Sequence, residues 1–225
     1  EAALATIGVP DLMAHIDTLA SDAYEGRAPG TPGEEKTVAY LTRQFQALGL
    51  EPGNPGGGYT QDVTLVGVRN QATGSLTVAG RSMPLRFPDN FVAVSYRDAA
   101  TARVRDSELV FVGYGVEAPE YGWDDYAGQD MTGKTLVMLV NDPQVAAAGD
   151  TALDPEMFNG RAMTYYGRWT YKYEVGAEKG ADAVIIIHET GPAGYPWEVV
   201  TGSWGPEQFG IAGAGGGTPV QVEAW

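Results

Sequence analysis

Val38, Leu41, Phe45 and Leu48 recur at steps of three and four residues, the spacing that lays apolar side chains along one helical face. The pattern predicts a helix over 32–48. Its ends carry matching signals: Thr31 as N-cap, Pro32 at the first helical position, Glu34 three residues beyond the cap and Gly49 just past the end. Leu12, Ile16 and Leu19 mark an earlier helix over 10–20. Residues 51–60 (EPGNPGGGYT) read as a loop.

Beyond the loop the texture becomes β-rich. Residues 62–68 alternate as one strand, and 75–79, 91–96, 108–115 and 135–141 are short runs bounded by Gly, Asp, Asn or Pro. The run 134–140 (KTLVMLV) is continuously apolar, as in a strand covered on both faces. A helix over 169–180 (WTYKYEVGAEKG) then leads into a second buried strand at 183–188 (AVIIIH). Strand, long loop, helix and strand form a βαβ-like unit, so the fold class is mixed α/β. Residues 213–217 (GAGGG) suit a linker, and 218–225 (TPVQVEAW) could re-enter a sheet.

Lys and Arg number 14 against 29 Asp and Glu, a formal net charge of −15. The excess is spread along the chain, with 9 acidic and 3 basic residues in 1–66 and 20 and 11 in 67–225. This describes an acidic folded surface. With no basic stripe to neutralise phosphates, nucleic-acid binding is not expected. Cysteine is absent, which removes disulfides, thiolate metal sites and cysteine catalysis together. No apolar run reaches the roughly 18 residues a membrane span needs, and the N-terminus has no signal-peptide pattern.

Residues 21–50 read SDAYEGRAPGTPGEEKTVAYLTRQFQALGL. Ser21, Asp22, Glu25, Gly26, Arg27, Gly30, Thr31 and Gly33, followed by Leu48-Gly49-Leu50, resemble the N-terminal signature of the M28 family of zinc aminopeptidases. A second resemblance lies further on. Gly113-Tyr114-Gly115, Asp124-Asp125-Tyr126, Gly133-Lys134 and residues 165–172 (YYGRWTYK) are similar to elements of a protease-associated (PA) domain, which in a subset of that family interrupts the peptidase fold near the cleft. The two together imply an M28-like peptidase portion at 1–70, a PA domain at 71–215 and a linker or return segment at 216–225.

The chemistry implied by the resemblance is hydrolysis of an N-terminal peptide bond by a metal-activated water and a carboxylate base. This demands several converging His, Asp and Glu ligands, and the chain has two histidines. His15-Ile16-Asp17 imitates an HxD metal pair, but it lies within a predicted helix, where i and i+2 point roughly 200° apart. His188-Glu189 follows a buried strand without a second histidine near it. No GxSxG elbow and no GxGxxG occurs. Glu34-Glu35 suit a helix's first turn, and Asp124-Asp125 suit a turn.

No catalytic or metal-ligating residue is therefore assigned, and the zinc ligands are expected outside this chain, with no zinc expected on the chain itself. The residues placed beside the cleft by resemblance are Glu25, Arg27, Thr31, Tyr165, Tyr166 and Trp169. Each has a plainer reading: a loop fixed by an Arg–carboxylate contact, a helix cap, and rings packing a helix onto the core. The whole reads as the N-terminal and PA-domain part of a zinc aminopeptidase, inactive alone, with peptide as substrate. Two alternatives stand beside it, a non-catalytic PA interaction or lid module and an M28-like relative without metals. Residues 1–70 would need a remaining peptidase fragment or a second chain to cover their apolar face. The resemblance implies a secreted or periplasmic location.

Overall fold

The computed structural model describes residues 6–95, 99–213 and 220–224, Glu223 by its backbone alone. The chain divides into two units, Glu1–Thr64 and Leu65–Trp225.

In the first unit, helix α1 spans Val9–Leu19 and helix α2 spans Pro32–Ala47. The caps of α2 follow the sequence closely. Thr31 Oγ1 accepts from Glu34 N at 3.4 Å. The Glu34 carboxylate reaches back one residue further than a standard capping box, accepting from Gly30 N at 2.5 Å. At the other end Leu50 N bonds Phe45 O and Gly49 N bonds Gln46 O, a Schellman closure with Gly49 at φ 73°. Tyr40 is the buried anchor of α2. Its hydroxyl lies 2.7 Å from His15 Nδ1, and its ring meets His15 and Tyr24 edge-on.

The periodic positions form one stripe in each helix, yet no residue of α1 is buried. Leu12 and Ile16 are 55% and 46% exposed, and Phe45 and Leu48 are 41% and 73% exposed.

The second unit holds β1 (Leu65–Val68), β2 (Thr73–Val78), β3 (Arg81–Arg86), β4 (Phe91–Val94), β5 (Leu109–Phe111), β6 (Glu117–Ala118), β7 (Trp123–Asp124), β8 (Thr135–Leu139), β9 (Ala183–Ile187), β10 (Gln208–Ile211) and β11 (Val220–Ala224). Its helices are α3 (Trp169–Glu178), α4 (Thr190–Ala193) and α5 (Trp197–Trp204). A five-stranded sheet in the order β4-β11-β9-β8-β5 is parallel except for β4. The predicted βαβ unit is β8-α3-β9.

Strand β9 is buried on both faces, which is why it reads as an unbroken apolar run. Val184 and Ile186 pack with Leu136, Met138, Tyr173 and Val175 on the helix side. Ile185 turns the other way, to Phe91, Val222 and the partly buried Leu76 and Leu85 of the β2–β3 hairpin. Val92 joins Trp197 and Val200 of α5. The sheet is thus sandwiched between helices and a hairpin, a mixed α/β arrangement.

Two elements differ from the sequence reading. The strand expected at 108–115 stops at Phe111, because Gly113 and Gly115 take φ of 59° and 65° and Gly115 N bonds back to Val112 O. The strand expected at 62–68 begins at Leu65 and pairs antiparallel with β10 inside the second unit. Residues 218–225, expected to re-enter a sheet, contribute β11, which lies between β4 and β9.

Candidate functional site

The signature residues build a tightly wound loop against the start of α2. Glu25, Gly26 and Arg27 take φ of 51°, 76° and 60° in succession, and Gly30 follows at 72°. Two of the first three carry side chains, so the turn stores strain, on the order of 1–3 kcal/mol per such residue. Gly33 explains its place in the pattern: a Cβ there would drive into the Tyr24 carbonyl and stand 3.1 Å from Arg27 N. The loop packs on α2 through bare backbone.

The anticipated Arg–carboxylate contact is replaced by a lysine. Glu25 Oε1 lies 3.4 Å from Lys36 Nζ, which also donates to Ala23 O at 2.7 Å. Lys36 sits one turn into α2, where its long side chain reaches back over the loop. Arg27 makes no ion pair among the described residues. Both partners of the Lys36–Glu25 pair are about half exposed or more, so the pair itself contributes little.

In the second unit the aromatic residues separate into two groups. Tyr165 meets Tyr171 at 5.9 Å, Tyr171 meets Tyr166 at 5.0 Å and Tyr166 meets Tyr121 at 6.4 Å, all edge-to-face. The fully buried Phe158 backs Tyr121, Trp123 and Tyr166. Trp169 turns away from this row and stacks on Tyr195 and Trp204. Of the rings placed beside a cleft by resemblance, Tyr165 and Tyr166 therefore share a surface and Trp169 packs the core.

The row's hydroxyls are held by acids. Tyr165 Oη donates to Glu174 at 2.6 Å and Tyr166 Oη donates to Glu120 at 2.5 Å. The Tyr166 bond holds the Glu120 carboxyl below its usual pKa, and the same bond pushes the Tyr166 hydroxyl up to about 12. Asp124 and Asp125 do the turn work expected of them. Asp124 accepts from Tyr126 N and Ala127 N, and Asp125 accepts from Val116 N and Trp123 Nε1.

Two buried charged side chains, Lys172 and Asp142, sit near the carboxyl ends of the parallel strands and were not anticipated as a site. Lys172 is fully buried and donates to Tyr114 O at 2.6 Å. Burial lowers its pKa to about 8, against the opposing pull of Asp142 and Asp125. Asp142, also fully buried, accepts from Thr164 N at 2.7 Å and Thr164 Oγ1 at 2.6 Å. The one available signal was Lys172 itself, a lysine between two aromatic residues of an otherwise core-facing helix.

Both histidines pack against aromatic residues. His15 sits on α1 against Tyr40. His188 is buried against Tyr195 and Trp197, its Nε2 donating to Tyr195 O at 3.1 Å, and burial lowers its pKa. Among the described residues no three His, Asp or Glu side chains converge as a metal site. Among the described residues no helix is long and apolar enough to cross a membrane.

No protein-family model matches the chain, and no curated protein matches it. Among solved structures, an aminopeptidase from Aneurinibacillus sp. strain AM-1 is similar over 92% of this chain at 18% identity and a TM-score of 0.33. The chain spans 37% of that protein's length.

Proposed function

We propose that the chain is the N-terminal and PA-domain part of an M28-like zinc aminopeptidase, whose parent hydrolyses N-terminal peptide bonds. The observation that carries this reading is the signature at 21–50. Its ordered residues have separate physical jobs in one strained loop: Glu25 holds Lys36, Thr31 caps α2, and Gly33 permits the backbone contact. Backbone strain of this kind is characteristic of sites where geometry matters more than stability. In this reading Glu25, Arg27 and Thr31 lie beside the substrate cleft of the parent enzyme. Zinc is held by residues outside those described, and no chemical step is assigned to this chain. A secreted or periplasmic location belongs to the same proposal.

The test compares two proteins. The 225-residue chain should leave an aminoacyl-nitroanilide intact, whereas the proposed parent protein should cleave it and lose activity to a chelator. Chelator-sensitive cleavage by the 225-residue chain would overturn the assignment of the ligands to other residues. A longer protein that binds no zinc and cleaves nothing would overturn the aminopeptidase reading.

A second reading is favoured by the self-contained core of Leu65–Trp225, whose sheet is covered on both faces. A unit with its own core can serve as a non-catalytic interaction or lid module. Native mass spectrometry separates the readings: a larger zinc-loaded species supports the enzyme, and a metal-free 23.8 kDa species supports the module.

A further inference from the structure

The tyrosine row has a chemistry that the peptidase reading does not use. Tyr165, Tyr171, Tyr166 and Tyr121 stand edge-to-face at interplanar angles of 72°, 84° and 74°. Consecutive rings therefore meet nearly perpendicular, each held by its neighbour. Tyr165 is 56% exposed. The hydroxyls are tied down, Tyr165 to Glu174, Tyr166 to Glu120, and Tyr171 accepting from Glu117 N at 3.0 Å. The rings are thus fixed before any partner arrives, so little rotamer entropy remains to be lost on binding.

The charge around the row is negative and unneutralised. Glu120, Glu174 and Glu178 are exposed and form no ion pair among the described residues. The lysines of α3 and its C-cap are otherwise engaged. Lys172 is buried on Tyr114 O, and Lys179 pairs with Glu117. Arg168 lies before the first turn of α3, while Glu174 and Glu178 occupy its second half. The fold also contains an internal version of the contact: Lys179 Nζ lies 4.7 Å from the Tyr126 ring centroid while paired with Glu117. A cation between a tyrosine face and a carboxylate is satisfied twice, by the ring quadrupole and by the charge.

We infer that the row Tyr165–Tyr171–Tyr166–Tyr121, flanked by Glu120 and Glu174, is a docking surface for an arginine-bearing peptide segment. Charge complementarity selects a cation, and the tyrosine faces select a planar one, since a guanidinium can stack on a ring and bond a carboxylate in the same plane. This inference stands apart from the peptidase reading, because it concerns binding by the chain alone.

The test titrates the 225-residue chain with an acetylated, amidated Arg-Gly-Arg peptide and with its citrulline counterpart, which has nearly the same shape without the charge. Calorimetry should give at least about tenfold tighter binding for arginine, the combined effect of exposed ring and carboxylate contacts. That ratio should fall at least about threefold in Tyr165→Ala and in the Glu120→Gln/Glu174→Gln pair. Tyr165→Phe keeps the ring and should retain most of it. The substituted side chains are exposed or half-buried, and an unchanged melting temperature verifies the fold. Equal binding of the two peptides overturns the inference, as does a ratio unmoved by all the variants.

Discussion

Lys172 Nζ donates to the backbone carbonyl of Tyr114 across 2.6 Å, joining helix α3 to the turn after β5 at a point fully closed to water. Among the described residues no carboxylate lies within 4.0 Å of that ammonium. The nearest opposing charges, Asp142 and Asp125, act on it only through space. A buried cation held by one carbonyl is an expensive arrangement. Its cost should be visible in solution.

Stability should rise with pH between about 8 and 10. The folded lysine titrates near pH 8 against 10.5 unfolded. Below pH 8 both states carry the proton and the fold bears the full burial penalty. Above it the folded state releases the proton first, so the unfolded state binds more protons and stability climbs, by on the order of 3 kcal/mol if fully expressed. Beyond pH 10 the sign reverses. Tyr114, Tyr126 and Tyr171 have hydroxyl pKa values raised chiefly by burial, so the unfolded chain ionises first. Urea unfolding of the wild type and Lys172→Met at pH 7, 8, 9 and 10 checks this. The variant should lose the climb between 8 and 10; parallel curves would refute the account.

Thr31→Ala should cost about 1 kcal/mol, the ordinary value of a helix cap. Gly33→Ala should cost more, about 2 kcal/mol or above, because its new methyl meets backbone atoms of Tyr24 and Arg27 that cannot rotate aside. Hydrogen exchange of the first turn of α2 reports both. A milder effect for Gly33→Ala than for Thr31→Ala would mean that the loop does not lie against the helix as described.

Phe158→Ala should destabilise the second unit by about 3–5 kcal/mol. Phe158 is fully buried beneath Tyr121, Trp123 and Tyr166 and is the internal tether of the long connection from β8 to α3. Its removal should also open that connection to proteolysis and weaken the near-ultraviolet dichroism of the tyrosines. Retention of both properties would show that the connection is held elsewhere, for instance by Asp142 and Thr164 at its neck.

The elements that could be read from sequence were those whose own residues dictate them. α2 has its caps written at both ends, and β8 and β9 have apolar runs that only a doubly covered strand requires. β3 escaped notice because Pro84 and two arginines speak against a strand; it survives as half of a two-stranded hairpin, where Pro84 need not donate. α5 was hidden because WEVVTGSW carries β-branched residues and a glycine, and its helix is held by Trp197 and Val200 packing on Val92. The candidate residues followed the same rule. Thr31 capped where its local pattern placed it, whereas Lys36 rather than Arg27 took Glu25, and Trp169 parted from Tyr165, because those choices depend on loop geometry and neighbours distant in sequence.

The exposed stripes of α1 and α2 yield the last prediction. Leu12 and Ile16 are core-like in spacing yet 55% and 46% exposed, and Leu48 and Leu50 are 73% and 53% exposed. Leu12→Lys and Ile16→Lys should therefore change the unfolding free energy of this chain by no more than about 0.5 kcal/mol, as for ordinary surface sites. The same substitutions should lower binding of a hydrophobic dye, since they break a contiguous apolar surface. In a protein where a remaining peptidase segment or a second chain covers that stripe, as we propose, each lysine would instead be buried without a partner and cost several kcal/mol. Measuring both variants in the 225-residue chain and in the proposed parent protein separates the cases. Equal, small effects in the two would rule out a covering partner, and a large effect in the short chain would mean that the stripe is already packed there.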